Sequence, residues 1–190
     1  MIAAQKTANA VLGALKLARF DASGLRLMDA SRDGFWGSFW AAGIIAPFFI
    51  LFLGLKWQNG FVEGDIIRYA AVEASVYVMS WVLFPLIMIE VCKKLGWQKN
   101  YFAFGTARNW TVLVQNTLYL PIAMADVTGL LELTTSAPLL QVVFIYMLIY
   151  SWFVARGALG ISALAAIGVV AADLAVAIAI NIPADMLLNG

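Results

Sequence analysis

The run "IGVVAADLAVAIAINIP", residues 167–183, has the composition of a membrane helix and carries one carboxylate, Asp173. An ionised acid near a bilayer centre costs at least ~2.5–3.5 kcal/mol on insertion scales. Asp173 must therefore be protonated or paired, and must face protein or water rather than lipid. Two chemistries fit. One is a titrating site for a proton or cation; the other is a hydrogen bond between helices, worth only ~0.6 kcal/mol on average in membranes. Gln115 and Asn116 are the expected partners, because they sit in another apolar stretch at matching depth. At 1.5 Å rise per residue, all three fall within roughly 3 Å of their span midpoints. Asp173, Asn116 and Gln115 thus form the candidate intramembrane polar site. Glu73, Glu90 and Arg108 lie nearer span ends, where carboxylates reach water and arginine snorkels.

Little other chemistry is open to this chain. It has no histidine, which removes the commonest metal ligand and general base. Its single cysteine, Cys92, excludes an intrachain disulfide. Phosphate-binding glycine loops, dinucleotide fingerprints and nucleophile elbows are absent from the sequence. No catalytic, cofactor-binding or metal-ligating residue is expected, and an enzyme is the least supported class. The net charge of +1 gives no field for nucleic acid.

The elements that position Asp173 follow from composition. Of 190 residues, 63% are hydrophobic and 12% charged, about half the charge of a soluble domain. The expected fold is all-α: a polytopic transmembrane bundle of five helices preceded by a short amphipathic cytoplasmic helix. The spans are 35–55, 69–91, 104–124, 138–155 and 161–182, each close to the ~20 residues a crossing requires. The third is the least apolar, with Arg108, Gln115 and Asn116 inside it. Residues 1–34 form the N-terminal segment, 35–183 the membrane domain and 184–190 a short outside tail. In the first segment Ala8, Val11, Leu12, Leu15 and Ala18 share one helical side, while Lys6, Asn9, Gly13 and Lys16 share another. That pattern suits a helix on a membrane surface or docked on the protein's own cytoplasmic side. The pieces "FDASGL" and "MDASRDGF" read as two turns, because short polar side chains satisfy free backbone N–H groups.

Ten of the twelve lysines and arginines fall on one side of this plan and two, Lys56 and Arg68, on the other. The positive-inside rule places the N-terminus in the cytoplasm and the C-terminus outside, and the expected location is a bacterial inner membrane. Trp36, Trp40, Trp57, Trp97, Trp110 and Trp152 suit interfacial belts, whereas Trp81 falls mid-span. Lys93, Lys94 and Lys99 are candidate contacts for anionic lipid headgroups. Gly168 with Ala172, and Ala171, Ala175 and Ala179, form small-residue rows that let backbones approach. These rows put the fifth span at the bundle centre or at an oligomer contact. Pro138 starts a span and Pro183 ends one; Pro47, Pro85 and Pro121 are interior and kink their helices.

The piece "DASRDGFWGSFWAA", leading into a proline-containing span, resembles the start of bacterial members of the Yip1 family. The cytoplasmic N-terminal segment, five spans and short outside C-terminus resemble that family's plan. Eukaryotic relatives are associated with vesicle trafficking and small GTPases. The resemblance carries over no functional residues. It implies a non-enzymatic integral membrane protein that organises membrane or serves as an accessory subunit. Its expected partners are membrane lipids and a homo-oligomer or larger membrane complex. The alternative is a small transporter or proton/cation pathway with Asp173 at the midplane. A cavity reaching Asp173 favours the alternative; a dry, packed Asp173 with one hydrogen bond favours the first.

Overall fold

The computed structural model describes residues 2–62 and 64–189 and is 87% helical, with no strand among the described residues. Its helices are α1 (Ile2–Ala18), α2 (Arg32–Ser38), α3 (Trp40–Gln58), α4 (Ile66–Leu95), α5 (Tyr101–Val127), α6 (Leu133–Leu159) and α7 (Ala163–Asn189). Among the described residues, four helical stretches are long and apolar enough to cross a membrane: Arg32–Gln58, Ile66–Leu95, Leu133–Leu159 and Ala163–Leu188. The first is α2 running into α3 through a bend at Phe39. α5 is not among the four.

Local chemistry sets the boundaries. Both DAS triplets make the same turn: Asp21 accepts the N–H of Ser23 at 2.9 Å and Asp29 that of Ser31 at 3.0 Å. The first opens a 3-10 turn at Ala22–Leu27; in the second, the Ser31 hydroxyl also caps α2 by accepting from the Gly34 N–H at 3.1 Å. α4 ends at Gly96, whose left-handed backbone (φ 76°) suits a residue without Cβ. Two proline expectations fail. Pro138 lies inside α6, which already begins at Leu133, and Pro183 lies inside α7, which continues to Asn189. Residues 184–189 are therefore helix rather than tail. The flanking turns supply hydrogen bonds enough for the helix to run through each ring.

α5 is the axis of the bundle. It packs against α1, α2, α3, α4 and α6, and is enclosed nearly all round, from Phe104, Gly105 and Thr106 to Asn109, Leu113 and Val127. Of the two places expected for the last span, the bundle centre or an oligomer contact, the first is therefore taken by α5. Gly168, Ala171, Ala175 and Ala179 of α7 are exposed, and nothing lies within 4 Å of a Cβ built on Gly168. Small residues permit close approach but do not require it. α4, α5, α6 and α7 form a ring in that packing order, closed by α7 against α4. α3 packs outside the ring on α5, and the mid-span Trp81 is buried beside Tyr77.

α1 docks on α5 and α6, on a different face from the expected one. Ala10, Gly13, Ala14 and Leu17 are buried, while Leu12 and Leu15 are about half exposed. Tyr150 and Tyr146 of α6 donate to the Ala14 and Ala18 carbonyls at 2.7 and 2.6 Å. A Cβ on Gly13 would stand 2.7 Å from the Gly24 carbonyl oxygen, so the 3-10 turn lies directly on the helix. Lys6 and Asp29 pair at 2.9 Å across the base of this hairpin. The Lys6 hydrogen bond, with those from Ser31, holds the Asp29 carboxyl down to about 2.

The close seat of Phe35 on α5 provides a test. A Cβ at Gly105 would meet the Phe35 ring at 2.5 Å, and that ring is wedged among Phe39, Tyr101 and Phe102. Gly105→Ala is expected to destabilise by about 1–3 kcal/mol through overpacking. Gly54→Ala, at an open position of α3, should be neutral or gain up to about 1 kcal/mol. Thermal unfolding of both variants in detergent micelles checks the contrast; equal midpoints would contradict it.

Candidate functional site: an ion pair across the helix ring

α5 and α7 occupy opposite corners of the ring, separated by α4 and α6. Arg108 of α5 and Asp173 of α7 meet across that diagonal, with Nη2 donating to Oδ1 at 2.8 Å. The Arg108 side chain is 13% exposed and that of Asp173 32%. The guanidinium lies over the Phe84 ring of α4, 4.7 Å from its centroid. Phe84 is itself fully buried and meets Phe104 edge to face. The cation is thus held by a carboxylate on one side and an aromatic face on another.

Space around the pair is unequal. Toward the α5 C-terminal end lies a cavity of about 260 Å³, lined by all four ring helices, with Ser80, Gln115, Asn116 and Ser151 among its polar groups. Phe144 and Ile180 mark its far end. Toward the α5 N-terminal end only about 20 Å³ remains, a water-sized space, closed by Phe104, Val154, Ala155 and Val169. Two buried polar atoms without a protein partner, Arg108 Nε and Thr111 Oγ1, belong to residues lining this smaller space.

The three residues expected to form the site do line one cavity, but they do not bond to one another. Gln115 donates to the Met147 carbonyl at 3.1 Å and to Ser151 Oγ at 2.9 Å, tying α5 to α6. Asn116 donates to the Val112 carbonyl of its own helix at 2.9 Å. The partner of Asp173 is Arg108 instead. Arginine was expected to snorkel toward the nearer boundary, but its long side chain reaches the bundle centre as readily. The sequence held a signal for this: Arg108, Thr111 and Gln115 recur at i, i+3 and i+7, one polar face of α5. Lys93 pairs with Glu90 at 2.7 Å, while Lys94 and Lys99 are exposed. No group of three or more potential metal ligands occurs among the described residues.

These features define a helical protein compatible with integral membrane insertion, built around a charge-paired polar cavity. No protein-family model, curated protein or solved structure matches the chain.

Removing one partner of such a pair leaves a buried charge alone. Asp173→Leu is expected to destabilise toward the lower end of the roughly 3–5 kcal/mol range for broken buried pairs, since Asp173 is about a third exposed. Arg108→Met with Asp173→Leu should recover most of that loss. A double-mutant cycle by thermal unfolding measures the coupling; additive effects would mean that the pair is not formed.

Proposed function

We propose that the protein is a five-span integral membrane protein that gives a small ion a pathway through the ring, worked by the Arg108–Asp173 pair. The observation that carries this reading is the pair set across the ring interior, with a cavity on one side and near-closure on the other. In a site of low polarity the two charges balance. A proton arriving on Asp173 removes one of them and frees Arg108 to hold a small anion, so proton and anion would enter together. Phe104, Val154, Ala155 and Val169 form the closed gate, and the larger cavity is the entrance.

The fifth span is α5. It falls short in apolar character because its surroundings are protein, not lipid, and its 27 residues reach about 40 Å. With α5 counted, the N-terminus is cytoplasmic, α7 ends outside, and the larger cavity faces outward. The basic residues of 1–34 and of the α4–α5 connection support this orientation in a bacterial inner membrane. Labels at cysteines introduced for Lys99 and Glu132 should react from opposite sides; reaction of both from one side would remove the five-span plan.

A second reading keeps the Yip1-like expectation: a non-enzymatic membrane organiser or accessory subunit in which the ion pair is a strut. The exposed small-residue face of α7 favours it, as a surface on which another helix could pack closely. Reconstitution separates the two readings. Vesicles with the wild-type chain should dissipate a pH gradient faster than empty vesicles. Asp173→Asn keeps a hydrogen-bonding group opposite Arg108, so it should lower the melting midpoint less than Asp173→Leu, and vesicles holding the folded variant should show no dissipation above that of empty vesicles. Equal rates with and without protein would leave the strut reading standing and refute the pathway.

A further inference from the structure

A second feature lies between α2 and α4, away from the ring interior. Here a groove of about 650 Å³ runs along the bundle surface. Its walls are apolar, with Phe35, Phe39, Pro85, Leu86 and Ile89 among them, and its lining also carries Arg32, Lys93 and Gln98. Lys93 stands in the last turn of α4 and Arg32 in the first turn of α2, so these polar groups gather at one end. Trp36, 60% exposed, lines the groove beside them.

Arg32 makes no ion pair among the described residues, and Lys93 is shared with Glu90. The neighbouring Asp33 is not among the residues that line the groove. Arg32 and Lys93 against Glu90 therefore leave a net positive mouth. We infer that this groove binds one anionic phospholipid, its phosphate held by Arg32 and Lys93 and an acyl chain laid along Phe39 and Leu86. The apolar walls suit a hydrocarbon chain. The cationic mouth suits a phosphodiester that brings no ammonium of its own, since a choline headgroup would set its cation against the guanidinium. An exposed tryptophan at that level matches the interfacial preference of indole. The inference requires only that the basic end of the bundle meets the membrane surface; it holds whether or not the ring conducts ions.

The test is a lipid titration of the purified full chain in detergent, read by thermal unfolding. Phosphatidylglycerol should raise the midpoint by roughly 5–10 °C at about a hundred times its Kd. Phosphatidylcholine with the same chains, and water-soluble glycerol 3-phosphate, should not. Arg32→Gln with Lys93→Gln should remove the shift, and Lys94→Gln, outside the groove, should keep it. Leu86→Trp, which fills the groove from an exposed position, should also remove it if the double variant proves unstable. Equal shifts from both lipids, a shift from glycerol 3-phosphate alone, or a shift that survives both groove variants would overturn the inference. So would a wild-type dimer that Leu86→Trp dissociates, since the groove would then be an interface between copies.

Discussion

Two opposite charges held face to face inside a helix ring are the constraint around which this bundle is arranged. The separate burial of a guanidinium and a carboxylate would cost several kcal/mol each. Together they cancel, provided that α5 and α7 stand at the right separation and neither drifts toward lipid. α4 and α6 set that separation from the two remaining corners. Phe84 covers the open face of the cation, and Gln115 ties α5 to α6 through Met147 and Ser151. The pair therefore depends on all four helices of the ring. A pair of this kind is weak evidence for stability, because well-packed apolar side chains serve as well or better. Its position on a cavity wall is what gives it functional interest.

The rest of the fold follows from turning α5 inside out relative to its neighbours. In lipid no hydrophobic force draws helices together, so close packing and polar contacts must do so. α5 supplies both. Gly105 lets Phe35 sit against the backbone, Asn109 donates to Ser38 Oγ at 2.9 Å, and Tyr101 donates to the Pro85 carbonyl at 3.0 Å. α1 adds a collar on α5 and α6, where the Tyr146 and Tyr150 hydroxyls reach its carbonyls. α6 and α7, with less surface to bury, carry the bulky or small apolar residues that a lipid environment tolerates.

Apolar run lengths in the sequence located α3, α4, α6 and α7, because hydropathy over some twenty residues is a strong signal, whereas α5 was expected from the charge pattern. The two DAS turns were also legible, since Asp and Ser report backbone N–H groups directly. Helix ends were less so: Pro138 and Pro183 read as boundaries, yet both rings lie within continuous helix. That α5 rather than α7 is the enclosed helix is hard to read from the sequence for a physical reason. Small residues on α7 looked like packing positions, while the polarity of α5 looked like a flaw in a span. Burial reverses that judgement, because side chains such as Asn109 and Gln115 are tolerable only when other helices satisfy them. Asp173, Gln115 and Asn116 line one cavity, as their matching depths suggest. Arg108 was assigned to a boundary by depth alone; the direction in which a long side chain extends depends on what its neighbours offer, and single-sequence spacing does not contain that.

The most direct test of the account is the distance between Arg108 and Asp173 in a bilayer. Solid-state NMR dipolar recoupling can measure it on protein carrying ¹⁵N in the arginine guanidinium groups and ¹³C in the aspartate carboxyls, with Arg108→Lys and Asp173→Asn samples assigning the signal. Direct contact is expected, with an Arg108 nitrogen 2.8 Å from an Asp173 oxygen. Absence of dipolar coupling between the two side chains, with Arg108 instead in contact with lipid phosphate, would contradict it.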